Sequence, residues 1–268
     1  MSLTDRSLTR REAAALMLAA PLAATTTMAQ AAPAQVMPKA LFFDVFGTCV
    51  DWRTGVAREA ERILKPRGAN LNWLEFADHW RSLYQPTMEE VRSGRRQFVK
   101  LDVLHREMLD KTLVKFDVKA VPADVLAELN LAWHRLDAWP DVRRGFPRLG
   151  AKFLLAPCSN GNIALMADIA RRNSIRWDAI LGSDIARDYK PKPNVYLAAA
   201  DAFNLAPGEC MMVAAHSNDL GSAAAQGLRT AHVARPNENG PGTGESAPSV
   251  RVDYAASSME DLAAKLGA

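Results

Sequence analysis

The spacing of apolar positions along the chain changes character twice. Residues 41–53, Leu-Phe-Phe-Asp-Val-Phe-Gly-Thr-Cys-Val-Asp-Trp-Arg, open with an apolar run too short for a helix. The run ends on Asp44 and is followed by Gly47 and Thr48, the pattern of a buried parallel strand delivering an acid into a turn. Apolar residues then recur at intervals of three and four, predicting helices over 56–64, 73–91 with a bend near Pro86, 99–114 and 121–136. No strand-like run interrupts them. From residue 152 the pattern alternates: strand 153–156, helix 162–172, short strand 179–181, helix 193–203, strand 210–214, helix 219–228 and strand 230–234. Residues 237–249 are rich in Gly, Pro and polar side chains and read as a surface loop, and Ser257-Ser258-Met259-Glu260 as a capping box opening the last helix.

One strand, a block of helices and then the rest of a parallel sheet give an α/β chain: a Rossmann-like parallel sheet core, residues 38–53 and 140–268, with an inserted helical cap domain, residues 54–139. The cap is expected to lie over the sheet edge that presents Asp44. In open α/β sheets that edge binds ligands, so Asp44 is a candidate nucleophile as well as a candidate cap for the following turn.

Composition adds little to this and charge excludes two classes of partner. The 268 residues are 49% hydrophobic and 24% charged, the make-up of an ordinary globular chain, and the net charge of +3 supports neither a nucleic-acid footprint nor a membrane-surface patch. The amino terminus reads as an address. Arg10 and Arg11 precede an Ala- and Leu-rich run over 13–24, too short to span a bilayer, and Ala29-Gln30-Ala31 offers a cleavage site. Residues 1–31 are therefore expected to be an export signal peptide resembling the twin-arginine type, placing the mature chain in the periplasm or outside the cell, free of the membrane. Cys49, Cys158 and Cys210 are an odd count that implies no disulfide framework.

Four segments should meet at the edge beside Asp44: residues 44–48, Ser159-Asn160-Gly161, Lys190 with Tyr196, and residues 214–219. Each has a plain alternative, since Ser159 and Asn160 suit a helix cap and Lys190-Pro191-Lys192-Pro193 a solvated basic turn. With Asp44 opposite, Lys190 supplies the positive charge that keeps a partly buried carboxylate ionised.

In these segments the sequence resembles the haloacid dehalogenase superfamily, and within it the L-2-haloacid dehalogenases, from about Lys39 to the carboxyl terminus. Phe43-Asp44-Val45-Phe46-Gly47-Thr48 resembles the first motif, Cys158-Ser159-Asn160-Gly161 the second, Tyr189-Lys190-Pro191 through Val195-Tyr196 the third, and residues 213–219 the fourth. The phosphohydrolases of that superfamily place a second acid two residues after the first and further acids in the fourth motif. Here those positions hold Phe46 and a stretch with the single acid Asp219, too few carboxylates for a good Mg²⁺ site. The resemblance implies hydrolysis of short 2-haloalkanoic acids to 2-hydroxy acids through an aspartyl ester, with no metal and no organic cofactor. It implies Asp44 as nucleophile with Thr48 hydrogen-bonded beside it, Lys190 holding Asp44 ionised, and Ser159 with neighbouring amides on the substrate carboxylate. Arg81 and Asn160 would meet the leaving halide, and Tyr196 is expected in the substrate-binding set. Arg81 has the alternative of an exposed helix residue, and Tyr84, Phe98, Trp133 and Trp139 are expected in the cap core. The fourth motif departs from the family at Ala214 and His216, so either Asp219 or His216, acting as a water-orienting base, is expected to align the hydrolytic water. A Mg²⁺-dependent phosphatase-like member and a non-catalytic exported small-anion-binding protein are the alternatives. The partners foreseen are a small haloacid and, as assembly, a homodimer.

Overall fold

The computed structural model describes residues 37–268, and the segment expected to be an export signal, with Arg10 and Arg11, lies outside the described residues. The main sheet has five parallel strands in the order β4 (Leu154–Pro157), β1 (Ala40–Phe43), β5 (Cys210–Ala214), β6 (Arg229–Val233) and β7 (Tyr254–Ala256). The unbroken apolar run of β1 follows from cover on both faces. Leu41 and Phe43 face one core with α6 (Pro140–Gly150) and α11 (Met259–Lys265), whereas Ala40 and Phe42 face another with α9 (Pro193–Asp201) and α10 (Ser217–Ala224). The chain crosses from β1 to β4 on one side and takes up β5 on the other, so the carboxyl end of β1 is a topological switch point.

Between β1 and β4 the chain leaves through β2 (Val50–Asp51) and returns through β3 (Asp137–Ala138), a two-stranded antiparallel ribbon. The helical block on this ribbon comprises α1 (Trp52–Leu64), α2 (Trp73–Ser82), α3 (Tyr84–Arg92), α4 (Leu101–Lys115) and α5 (Ala123–Asn130), closed by a 3₁₀ turn at Leu131–Arg135. Asp51 starts α1 by accepting from the Thr54 amide, and buried Glu59 clasps Arg135 at 2.7 Å across to the closing turn. The helix expected over 73–91 is two helices broken at Leu83, because Pro86 has no amide proton for the carbonyl one turn back.

Three expectations fail in the core. Residues 179–181 form no strand: Asp178 meets the edge of β4 through its amide on the Leu155 carbonyl (2.8 Å) and its carboxylate on the Leu155 amide (2.8 Å), after which the chain leaves. Helix α6 and strand β7 were not foreseen. Gly145, Pro147 and Gly150 read as breakers in α6, yet Gly145 is where the helix lies against Met259, close enough that a Cβ would strike its backbone. The capping box of the last helix sits one residue later, with Ser258 accepting from the Asp261 amide and Asp261 from the Ser257 amide. All three cysteines are buried and free, and among the described residues no helix is long and apolar enough to cross a membrane.

Candidate active site

Asp44 follows β1 directly, its amide bonded to the Val213 carbonyl of β5. The chain then turns back through Gly47, whose φ of 83° suits a residue without a Cβ. Thr48 donates to Asp44 Oδ2 at 2.8 Å and accepts the Ala215 amide at 2.8 Å, so its only proton is committed to the carboxylate. Lys190 Nζ lies 3.3 Å from Asp44 Oδ1 and 2.6 Å from Asp219 Oδ2. All three ionic side chains are nearly buried. Burial opposes the Asp44 charge, but Lys190, His216 and the Thr48 hydroxyl outweigh it and hold its carboxyl well below the usual carboxylate range. Burial likewise disfavours the Lys190 ammonium, and Asp219 and Asp44 together keep it well above its ordinary value. Asp219 is raised, by burial and by the nearby charge of Asp44 against the opposing pull of Lys190.

Two expectations for this group need correction. Tyr196 is fully buried and donates to Asp219 Oδ1 at 2.7 Å; it braces that acid from below rather than facing a substrate. Asp219 is thereby occupied on both oxygens, by Tyr196 and Lys190. His216 is not a free base. Its Nδ1 lies 3.1 Å from Asp44 Oδ2 and its Nε2 lies 2.8 Å from Glu238 Oε2. Burial alone would lower its pKa, but hydrogen bonds to the two carboxylates raise it to about 10, so both nitrogens carry protons at neutral pH.

The second segment lies after β4. Ser159 Oγ accepts the Gly161 amide at 3.1 Å, and Asn160 Oδ1 accepts the Lys190 amide at 2.7 Å while its side chain also bonds Tyr84. From the cap, Arg81 is not an exposed helix residue. Its guanidinium carbon stands 4.0 Å from the Tyr84 ring centre, 5.3 Å from Trp52 and 5.7 Å from Phe46, and its buried Nη1 has no hydrogen-bond partner within the protein. Phe46, in the position of the missing second acid, is buried against this aromatic group. Trp133 is fully buried, as expected of cap core, whereas Tyr84 belongs to the site wall through Asn160 and Arg81.

The residue the sequence did not disclose is Glu238. It lies in the strap expected to be surface, but is itself buried, accepting Trp52 Nε1 at 3.0 Å as well as His216. A Cβ on Gly47 would collide with its carboxylate. Neighbouring residues hold the strap down: Arg235 donates to the Thr48 carbonyl at 2.9 Å, and Glu245 caps α10 through the Ser217 amide. No cluster of three or more His, Cys, Asp or Glu placed to hold a metal ion occurs among the described residues, and the largest groove, about 710 Å³ between α6 and residues 172–178, shares no residue with the site.

The profile of the haloacid dehalogenase-like hydrolases matches residues 38–227. The chain is 30% identical over 203 residues to (S)-2-haloacid dehalogenase 1 of Pseudomonas sp. (strain CBS-3), covering 75% of this chain and 86% of the relative. It superposes on the crystal structure of a defluorinating L-2-haloacid dehalogenase with a TM-score of 0.84 and 44% identity, covering 86% of this chain and 96% of the other. A second L-2-haloacid dehalogenase structure gives a TM-score of 0.82 and 41% identity over 87% and 99% of the two chains.

Proposed function

From the premise that this chain belongs to the haloacid dehalogenase-like hydrolases, we propose that it hydrolyses short 2-haloalkanoic acids to 2-hydroxy acids through an ester on Asp44. The observation that carries the reading is the pairing of a permanently ionised acid with a hydrophobic second position. Asp44 is a nucleophile with no acid beside it to protonate a leaving group, and a halide needs none.

Asp44 Oδ2 is engaged by Thr48 and His216, whereas Oδ1 meets only Lys190 at 3.3 Å. Oδ1 is therefore the better nucleophile and attacks C2 from the side opposite the halogen, inverting the carbon. The unpartnered Arg81 Nη1 and the amide of Asn160 receive the departing halide, and Ser159 with the amides of its turn binds the substrate carboxylate. Lys190 keeps Asp44 charged, and Tyr196 fixes Asp219, which fixes Lys190. Water then attacks the Asp44 carbonyl carbon, and Oδ1 leaves with the hydroxy acid.

The test is halide release from a panel of fluorinated, chlorinated and brominated acids in the presence of a chelator, with a single turnover in ¹⁸O-labelled water. The label belongs in Asp44, and label appearing directly in the hydroxy acid overturns the ester. The phosphatase alternative fits the residues poorly, because buried Phe46 stands where its second acid would be and the carboxylates of the site already face Lys190 and His216. Metal-dependent phosphate release would restore it. Residues 1–31 are proposed to direct export through the twin-arginine route, and export unchanged after Arg10 and Arg11 are both replaced by Lys would point to another route.

A further inference from the structure

His216 and Glu238 form a carboxylate–imidazole pair aimed at the nucleophile from outside the Lys190–Asp219 system. The chain brings them together from distant places: His216 from the turn after β5, Glu238 from the strap after β6. Glu238 is fixed by Trp52 on one oxygen and His216 on the other, so His216 Nε2 has one available orientation, and that orientation sends Nδ1–H to Asp44 Oδ2. The same oxygen receives the Thr48 hydroxyl proton, whose direction is set by the Ala215 amide on the other side of Thr48 Oγ1.

Once Oδ1 carries the alkyl group, Oδ2 is the carbonyl oxygen of the ester, and the negative charge of the tetrahedral intermediate develops there. Two donors already stand at 2.8 and 3.1 Å from it. That is the spacing an oxyanion hole requires, with no reorganisation at the moment of reaction. Resting on the ester reading above, we propose that Thr48 and His216 are the oxyanion-binding pair for hydrolysis of the Asp44 ester, and that Glu238 is the positioning residue that aims His216 at Oδ2.

In this step the water oxygen bonds to the Asp44 carboxyl carbon while the electron pair of the carbonyl moves to Oδ2. When the intermediate collapses, that pair re-forms the double bond and the bond from carbon to Oδ1 breaks. One water proton ends on the alkoxide oxygen of the departing hydroxy acid, and the other passes to solvent as Asp44 returns to a carboxylate. His216 donates throughout and neither gains nor loses a proton. The charged and titratable groups facing it are Asp44 and Glu238 in direct contact, with Lys190 behind Asp44 and His232 of β6 beside it; burial keeps His232 neutral. Loss of the Asp44 charge on esterification leaves Glu238 as the one carboxylate bonded to His216 that holds its proton.

The role is decided by the pH dependence of ester breakdown, followed by intact-mass spectrometry after rapid mixing with 2-chloropropionate. An oxyanion donor must be protonated, so breakdown should hold at neutral pH and fall as the solution becomes alkaline. In Glu238→Gln the fall should set in at least one pH unit lower, with breakdown at pH 9 slowed by about 10²-fold while ester formation changes far less. A residue that merely supported the fold would leave the position of that fall unmoved. Breakdown that rises with pH over the same range would assign His216 as a base and overturn the proposal, as would a fall that does not move in Glu238→Gln. Should Glu238→Gln fail to fold, the direction of the wild-type profile still decides. Label from water appearing in the product with no ester on Asp44 marks failure of the ester reading itself.

Discussion

Asp44 keeps its charge in a nearly buried position because each oxygen has a donor, and the network does not depend on Asp44 to stay together. Lys190 retains Asp219, and His216 retains Glu238. Asp44→Asn should therefore fold normally and lose turnover by at least about 10⁴-fold, read as halide release beside an unchanged melting curve. His216 makes the stability of the protein depend on alkali. Its folded pKa is raised to about 10 from an ordinary 6.5, so its contribution is complete below 6.5 and lost as pH climbs through about 10. Melting temperatures measured from pH 6.5 to 10.5 should fall in wild type and fall less in His216→Gln. The residues named here were legible from the sequence where they end a strand or open a helix: Asp44, Ser159, Asn160, Lys190 and Asp219 all sit at such punctuation. The protonation of His216 was not, because it is set by a carboxylate more than twenty positions away in a segment without periodicity.

At the scale of elements, the least legible part of the molecule is the strap between β6 and β7. A tract of Gly, Pro and polar residues has no apolar period to reveal a buried face, yet this one inserts Arg235 and Glu238 beside the nucleophile turn. Its anchor is Asp141 at the start of α6, whose Oδ2 accepts Arg235 Nη1 at 3.0 Å and the Met259 amide at 2.7 Å. One carboxylate thus joins α6, the strap and the start of α11. Asp141→Ala leaves the Arg235 guanidinium buried without its counter-charge and should cost about 3–5 kcal/mol in urea denaturation. Turnover should fall as well, since Arg235 also holds the Thr48 carbonyl. The strands and helices that the sequence did disclose are those with strong period, such as β5, buried throughout, and α4, within two residues of expectation at each end. Helix α6 and strand β7 were hidden by breakers and by brevity.

On the scale of the whole molecule, the helical block touches the sheet-bearing part well away from its ribbon. Asn162 and Asp102 bond each other at 2.9 Å, His134 bridges Asp102 at 3.0 Å to Asp168 at 2.8 Å, and Tyr189 donates to the Val99 carbonyl at 2.6 Å. Arg92 reaches the Lys190 carbonyl at 2.9 Å, tying the block to the residue that holds the nucleophile ionised. These contacts turn the block into a gated lid, and a gate has kinetics of its own. The rate of substrate capture is then set by how often the lid lifts, and the apparent affinity is the intrinsic one reduced by the fraction of molecules standing open. Asn162→Ala removes one fastening without touching the reacting atoms. It should speed ester formation at low substrate concentration while leaving the saturating rate no higher, a split that stopped-flow traces over a range of haloacid concentrations would resolve. The same fastenings make selection among haloacids a matter of entry as well as of fit: a longer acid must wait for a wider and rarer opening before Asp44 can meet it.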